Sequence, residues 1–275
     1  MYSPKTGRFT TEDQIHDGYN WDTYCGGNPV GYKDPTGNWM QGDDKISFSQ
    51  DDRDLMDYYG DQWNASVGNP EEQMNWHMRA NDIRAKYISS AIFINAEDAV
   101  DLFDKDIIQL GHNAVILITD AKQGLYFSFA AGPDSPQSYA KQLLYCQGMV
   151  SFRFLTPDEM VHINMNGKPI YNKMSDGTER SGISHMEYTS YLKFHISHEE
   201  GRNMYNKAVS YYFSPPEYSG LFFNCSNFAV KVLWSGNNKR IRSALFCHDS
   251  ALPNTAYSLI SKFARRSWGL QPMYI

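Results

Sequence analysis

The chain has 275 residues, is 41% hydrophobic, 15% aromatic and 20% charged, and carries a formal net charge of −6. That composition excludes wholesale disorder, a collagen-like repeat and a coiled coil, and the length predicts one large domain or two small ones. The longest purely apolar run, Ala114 to Ile118, is far short of the roughly 20 residues a membrane helix needs. No apolar core of a secretory signal follows Met1, so no leader of that kind is expected in this chain.

Charge is spread unevenly. Residues 1–90 hold 8 Lys/Arg against 15 Asp/Glu, whereas residues 91–275 hold 17 against 16, which predicts a boundary near residue 90. Neither part has the positive field that nucleic-acid binding requires, and the basic stretch from Lys239 to Arg266 reads as solvated surface. The four cysteines, Cys25, Cys146, Cys225 and Cys247, are widely spaced. With no Cys-x-x-Cys pair they fit neither a disulfide scaffold nor a zinc ribbon, and leave room for one functional thiol.

Residues 1–38 are crowded with turn signals, at Pro4 to Gly7, Gly26 to Pro29 and Asp34 to Gly37, around short strand-like pieces such as Arg8 to Thr11. Such a piece cannot bury a core alone. Tyr2-Ser-Pro-Lys-Thr-Gly-Arg-Phe-Thr-Thr-Glu-Asp13 and Tyr24-Cys-Gly-Gly-Asn-Pro-Val-Gly-Tyr-Lys-Asp-Pro-Thr-Gly37 resemble the C-terminal end of the RHS-repeat core. The resemblance implies a remnant of a β-strand shell that encloses a variable C-terminal effector, often a toxin. It also implies an aspartyl self-cleavage at the junction, with Asp13 and Asp34 as the carboxylates sharing one site. The chain departs from the family pattern at Gln14, His16 and Asn38.

Residues 39–90 read as a linker with two helices. Leu55, Tyr59 and Trp63 form an i, i+4 stripe after Ser49, and Pro70 is placed in the first turn of a second helix running from about Glu71 to Lys86. Residues 91–275 read as the main domain. Asn95 is expected to cap a short helix reaching about Phe103. The runs His112 to Thr119 and Leu125 to Ala130 predict a hairpin around a turn that ends at Gly124. A helix over Ser135 to Cys146, with Cys146 in the core, and a strand over Val150 to Phe154 follow. Next come a strand over Ser190 to Ile196 and a helix opened by the capping box Ser197-His-Glu-Glu200. A strand-like approach, Leu221 to Phe223, leads to a helix from Cys225 to Trp234, stopped at Ser235-Gly236.

Cys225 is the candidate nucleophile. A thiol at a helix N-terminus meets the positive end of the dipole and free N–H groups, which predict a lowered pKa and a place for an oxyanion. Imidazole is the usual partner, and His112, after Gly111 at the mouth of a strand, is the best placed of the eight histidines. Ordinary packing of a buried cysteine is the alternative. His195 and His198 straddle a strand end and a helix start, and Cys247-His248 lacks further ligands at zinc spacing, so no metal is expected. No cofactor-binding glycine loop is present.

The order Gly111-His112, hairpin to Phe129, Ser197-x-Glu-Glu helix and Asn224-Cys225-x-x-Phe228 resembles the permuted papain-like hydrolases. This is the circularly permuted branch of the NlpC-type superfamily, and the similarity spans about Ile107 to Gly236. The resemblance implies an α+β fold with a small antiparallel sheet packed by helices, Cys225 as nucleophile and His112 as general base. Ser128 is the candidate to orient the imidazole, and Asn224 serves either the oxyanion or the helix cap. Asn227 stands where some relatives carry His.

Together the two resemblances imply a delivered RHS-associated effector. It would act as a cysteine protease or amidase on a protein or peptide of a target cell, and its partners would be the rest of an RHS shell and a cognate immunity protein. An acyltransferase or lipid hydrolase on the same pair, a non-catalytic binding module and an ADP-ribosylating toxin are the rival readings.

Overall fold

The structure, a computed structural model, describes residues 48–97, 111–133, 145–161, 163–245 and 253–268, with short segments at 2–3, 8–9, 101–102, 108–109 and 272–274. Asp13, Asp34, the expected helix over residues 135–144, and Cys247 with His248 lie outside the described residues. The chain divides into two compact units, residues 1–80 with 120–122, and residues 81–119 with 123–275.

The first unit opens with two-residue strands, β1 (Tyr2–Ser3) and β2 (Arg8–Phe9), paired antiparallel. Helix α1 (Gln50–Ala65) is capped by Ser49, whose side chain accepts from the Asp52 N–H. Helix α2 (Pro70–Arg84) starts at the proline, where a missing N–H costs nothing. Tyr59 stacks on Trp76 with ring centroids 5.9 Å apart, and Gln73 Nε2 donates to the Trp63 carbonyl at 3.3 Å. Of the expected α1 stripe, Leu55 and Trp63 remain exposed.

The second unit is α+β, built on one antiparallel sheet. Its strands are β3 (Ile88–Ala96), β6 (His112–Thr119), β7 (Gly124–Ala131), β8 (Gly148–Leu155), β9 (Pro169–Met174), β10 (Glu179–Ile183), β11 (Ser190–His195) and the two-residue β12 (Met273–Tyr274). A two-stranded ribbon, β4 (Asp101–Leu102) with β5 (Ile108–Gln109), lies between β3 and β6 in the chain. The strand order β10-β9-β8-β7-β6-β3-β11-β12 is a meander from β3 to β10, after which the chain returns to pair β11 with the free side of β3.

The helices are α3 (Pro157–Val161), α4 (His198–Phe213), α5 (Cys225–Ser235), α6 (Lys239–Leu245) and α7 (Pro253–Trp268). Among the described residues no helix is long and apolar enough to cross a membrane. Of the basic stretch, Lys239, Arg240, Lys262, Arg265 and Arg266 are exposed, while Arg242 is half-buried and its Nε donates to the Trp234 carbonyl at 3.1 Å.

Strand β6 is buried along its whole length, which is why His112 to Thr119 reads as a nearly continuous apolar run with no alternation. On one face Phe127, Phe129 and Phe152 meet Tyr205, Phe228 and Tyr212 of the helices, with centroids 6.2, 5.8 and 6.0 Å apart. On the other face Ile92, Ile94, Ala114, Ile116 and Tyr126 form a cluster with Ile163, Met165 and Tyr188 from the connecting loops. Gly201 of α4 lies so close to Ile88 that a Cβ would collide with its backbone and side chain.

Three local expectations are corrected. Asn95 is not a helix cap: it lies in β3, directly opposite Asn113 and Ser190, because Ile88 to Ala96 finds β6 and β11 on its two sides. Cys146 is extended, bridged to Tyr218 and only partly buried. The approach to Cys225 is a turn closed by the Ser219–Phe223 bridge, with Leu221 and Phe222 exposed, because those apolar side chains have no sheet to join. In the β6–β7 turn the left-handed residue is Lys122, with φ of 58°, while Gly124 has already entered β7.

Candidate active site

Helix α5 opens with a reciprocal cap. Asn224 Oδ1 accepts from the N–H groups of Ser226 and Asn227 at 2.9 and 3.3 Å, and Asn227 Oδ1 accepts from the Asn224 N–H at 3.0 Å. Asn224 Nδ2 donates to the Gly220 carbonyl at 3.0 Å, closing the turn that precedes the helix. The Asn224 amide is therefore engaged in the cap. Asn227 is the other half of it.

Cys225, the first residue of α5, is 3% exposed. The backbone N–H groups of Asn113, Ser226 and Cys225 itself lie near enough to its sulfur to favour a thiolate, although the Ser226 N–H is already bonded to Asn224 Oδ1. The Asn113 N–H is free to do so because the β6–β7 ladder stops at Ala114–Ser128, although β7 and β8 stay paired as far as Ala131 and Gly148. The thiol thus sits where β6 and β7 part. The expected low thiol pKa is not found: burial pushes it up from 9.0 to about 11, and the three N–H groups offset only part of that shift. Removing a thiolate from water outweighs the helix terminus.

His112 is the residue before Asn113, and Gly111 sets its direction with a φ of 71°, where a Cβ would also collide with the Asn254 side chain. The imidazole is 3% exposed, and burial lowers its pKa from 6.5 to about 4. Its Nε2 lies 2.7 Å from Ser128 Oγ, the contact expected of an orienting group. That contact follows from period-2 alternation: His112, Ala114, Tyr126 and Ser128 share the face of the sheet away from α4 and α5. No hydrogen bond joins the thiol to the imidazole among the described residues. The link between them is the Asn113 backbone, one residue along β6.

Two further groups were not singled out in the sequence. Tyr126 and Tyr188 place their hydroxyls 2.7 Å apart, both beside Ser128, and the rings of Tyr188 and His112 are 6.3 Å apart. Burial raises the Tyr126 hydroxyl to about 12 and Tyr188 well above 10, with the nearby Cys225 adding to both. Tyr126 was legible by its strand parity with Ser128, whereas Tyr188 comes from a loop without periodicity. Ser226 Oγ, on the residue after Cys225, and Asn113 Oδ1, on the residue after His112, are buried and without a hydrogen-bond partner among the described residues.

The other candidates separate. His195 lies against Ser90 and His198 against Tyr87. No group of three His, Cys, Asp or Glu residues could hold a metal ion among the described residues. Compared with known proteins, the chain matches no family model, no curated protein and no solved structure.

Proposed function

We propose that the chain is a thiol hydrolase acting on an amide or ester carbonyl through Cys225 and His112. The observation that carries this reading is the convergence at one end of β6: a sulfur beside the backbone N–H of Asn113 and, on the residue before Asn113, an imidazole held by Ser128. The permuted order, His before Cys, and the NlpC-type papain-like architecture are part of the same proposal.

In the resting site both groups are neutral at pH 7, because burial raises one pKa and lowers the other. The thiol proton therefore moves to the imidazole as sulfur attacks, and not beforehand. The S–C bond forms and the carbonyl π electrons move to oxygen. In this reading the N–H groups of Cys225 and Asn113 receive that charge. Collapse expels the amine or alcohol, which takes the proton back from His112. Water, deprotonated by the same imidazole, then releases the acyl group and restores the thiol.

The two segments that resemble the RHS-core terminus support placing this domain in a delivered polymorphic-toxin effector. Its substrate would be a protein or peptide of a target cell, and a cognate immunity protein would block the site. A second reading, a binding module without catalysis, is favoured by the 3% exposure of Cys225 and the missing thiol–imidazole bond.

Acylation by p-nitrophenyl acetate at pH 7.5 tests the two readings. The hydrolase predicts a burst of p-nitrophenol that is lost in Cys225→Ala, reduced at least about tenfold in His112→Ala, and kept in Cys146→Ala, which removes the other described free thiol. A burst no larger than that of Cys225→Ala, or one indifferent to His112, leaves the binding module in its place.

A further inference from the structure

The connection from β10 to β11 crosses the face of the sheet that carries His112. Strand β10 ends at Ile183 and β11 begins at Ser190, six places away in the order β10-β9-β8-β7-β6-β3-β11. Seven residue steps span at most about 25 Å, whereas six strand spacings on a flat sheet come to about 29 Å. The sheet therefore curls, and residues 184–189 strap its concave side. Tyr188 lies on that side in one cluster with Ala114, Ile116 and Tyr126.

The strap is pinned at its ends and lightly held between them. At one end the Ser184 N–H donates to the Lys168 carbonyl and the Ser184 carbonyl accepts from the Gly167 N–H, both at 2.8 Å. At the other the Thr189 N–H donates to the Asn95 carbonyl at 2.9 Å. Residues 185–188 make no backbone–backbone hydrogen bond among the described residues, and the Met186 N–H donates to Ser184 Oγ at 3.2 Å, inside the strap. His185 and Glu187 are exposed and Met186 is half-buried, which leaves Tyr188, 4% exposed, as the anchor. Its hydroxyl lies 2.7 Å from that of Tyr126 in β7, and its ring 6.3 Å from that of His112.

His112 and Cys225 are each 3% exposed, so an acyl substrate reaches them only if a covering segment moves. Strands β6 and β7 are tied by ladders on both sides, and α5 is held by its capped helix. The strap has neither kind of bond, and segments with few backbone hydrogen bonds open first. We propose that residues 185–188 gate the candidate site, with the Tyr188–Tyr126 hydroxyl pair as the latch and its opening as the way an acyl substrate reaches His112. The nature of the ligand rests on the hydrolase reading, whereas the gate rests on the strap alone.

Diethyl pyrocarbonate carbethoxylates neutral imidazoles, and His112 is neutral at pH 7, so its rate of modification in the full chain reads how often it is uncovered. Each histidine is followed by peptide mass, with the exposed His185 as reference. In the wild type His112 should react more slowly than His185. Tyr188→Phe and Tyr126→Phe each remove one oxygen and so break the latch. Either should speed His112 by about fivefold or more, the scale of one buried hydrogen bond, with His185 and the amide exchange of β6 unchanged. The pair of variants keeps the test valid if one fails to fold. Wild-type His112 as fast as His185, rates unmoved in whichever variants fold, or a rise matched by β6 exchange overturns the inference. This readout needs neither a substrate nor a reactive thiol, so an absent acylation burst sinks the hydrolase reading without touching the gate.

Discussion

Along β6 and most of β7 both faces of the sheet are buried, and the two carry different chemistry. Under α4 and α5, Phe127, Phe129 and Phe152 meet helix rings, and Phe129 is in contact with Tyr218, Phe223 and Phe228 at once. On the opposite face the same strands contribute His112, Tyr126, Ser128 and Ser151, the last donating to Asn172 Oδ1 at 2.7 Å. One strand supplies both sets because successive side chains point to opposite faces. The aromatic face holds the helices on the sheet, and with them the N-terminus of α5. The polar face holds an imidazole and hydroxyls in a site where an unpaired group would be costly. The candidate nucleophile sits where β6 and β7 part, between these two environments.

The comparison can be broken from the aromatic side first. Phe129→Ala should destabilise the fold by about 4 kcal/mol in urea denaturation, the scale of a truncated core phenylalanine. A loss under about 1 kcal/mol would mean that α5 is held by something other than this face.

The polar face is tested by acid. His112 is held near a pKa of about 4 against 6.5 when unfolded, so the unfolded chain binds the extra proton first as pH falls. Stability is full above pH 6.5 and declines toward pH 4, by about 3 kcal/mol in all. Comparing wild type with His112→Gln by denaturation at pH 7 and 4.5 should show a flatter acid limb in the variant.

The thiol gives the reverse limb. Its pKa is about 11 in the fold against 9.0, so the unfolded chain loses the proton first as pH rises. Stability should fall by about 2 kcal/mol between pH 9 and 11. The difference between wild type and Cys225→Ala, followed from pH 8 to 10, isolates this group from the buried tyrosines, which add their own losses at higher pH. The smallest effect is expected at the cap. Asn224→Ala should cost about 1 kcal/mol and leave the His112–Ser128 contact intact, read by thermal unfolding and by the His112 15N signal.

Much of this arrangement was legible beforehand, wherever a local rule matched the final environment. The capping box at Ser197 and Glu200 forms as expected, with the Glu200 carboxylate accepting from the Ser197 N–H at 2.8 Å. The strand at residue 190 and the helix opened by Cys225 also start where their patterns place them. Ser128 meets His112 because a strand's side-chain alternation survives folding unchanged. Asn95 misled because Asn followed by Glu97 and Asp98 is a good local helix start, while pairing on both sides of β3 outweighs it. Tyr188 gave no signal because a loop residue has no period to reveal its direction.

The residue order by itself therefore determined the chemical groups, the strand faces and the caps, since these depend on neighbours a few positions away. Only the tertiary structure decided that Cys225 is a protonated thiol. The helix terminus that favours a thiolate is a local feature, whereas the burial that opposes it comes from packing α5 on β6 and β7, and in a dry site desolvation is the larger effect.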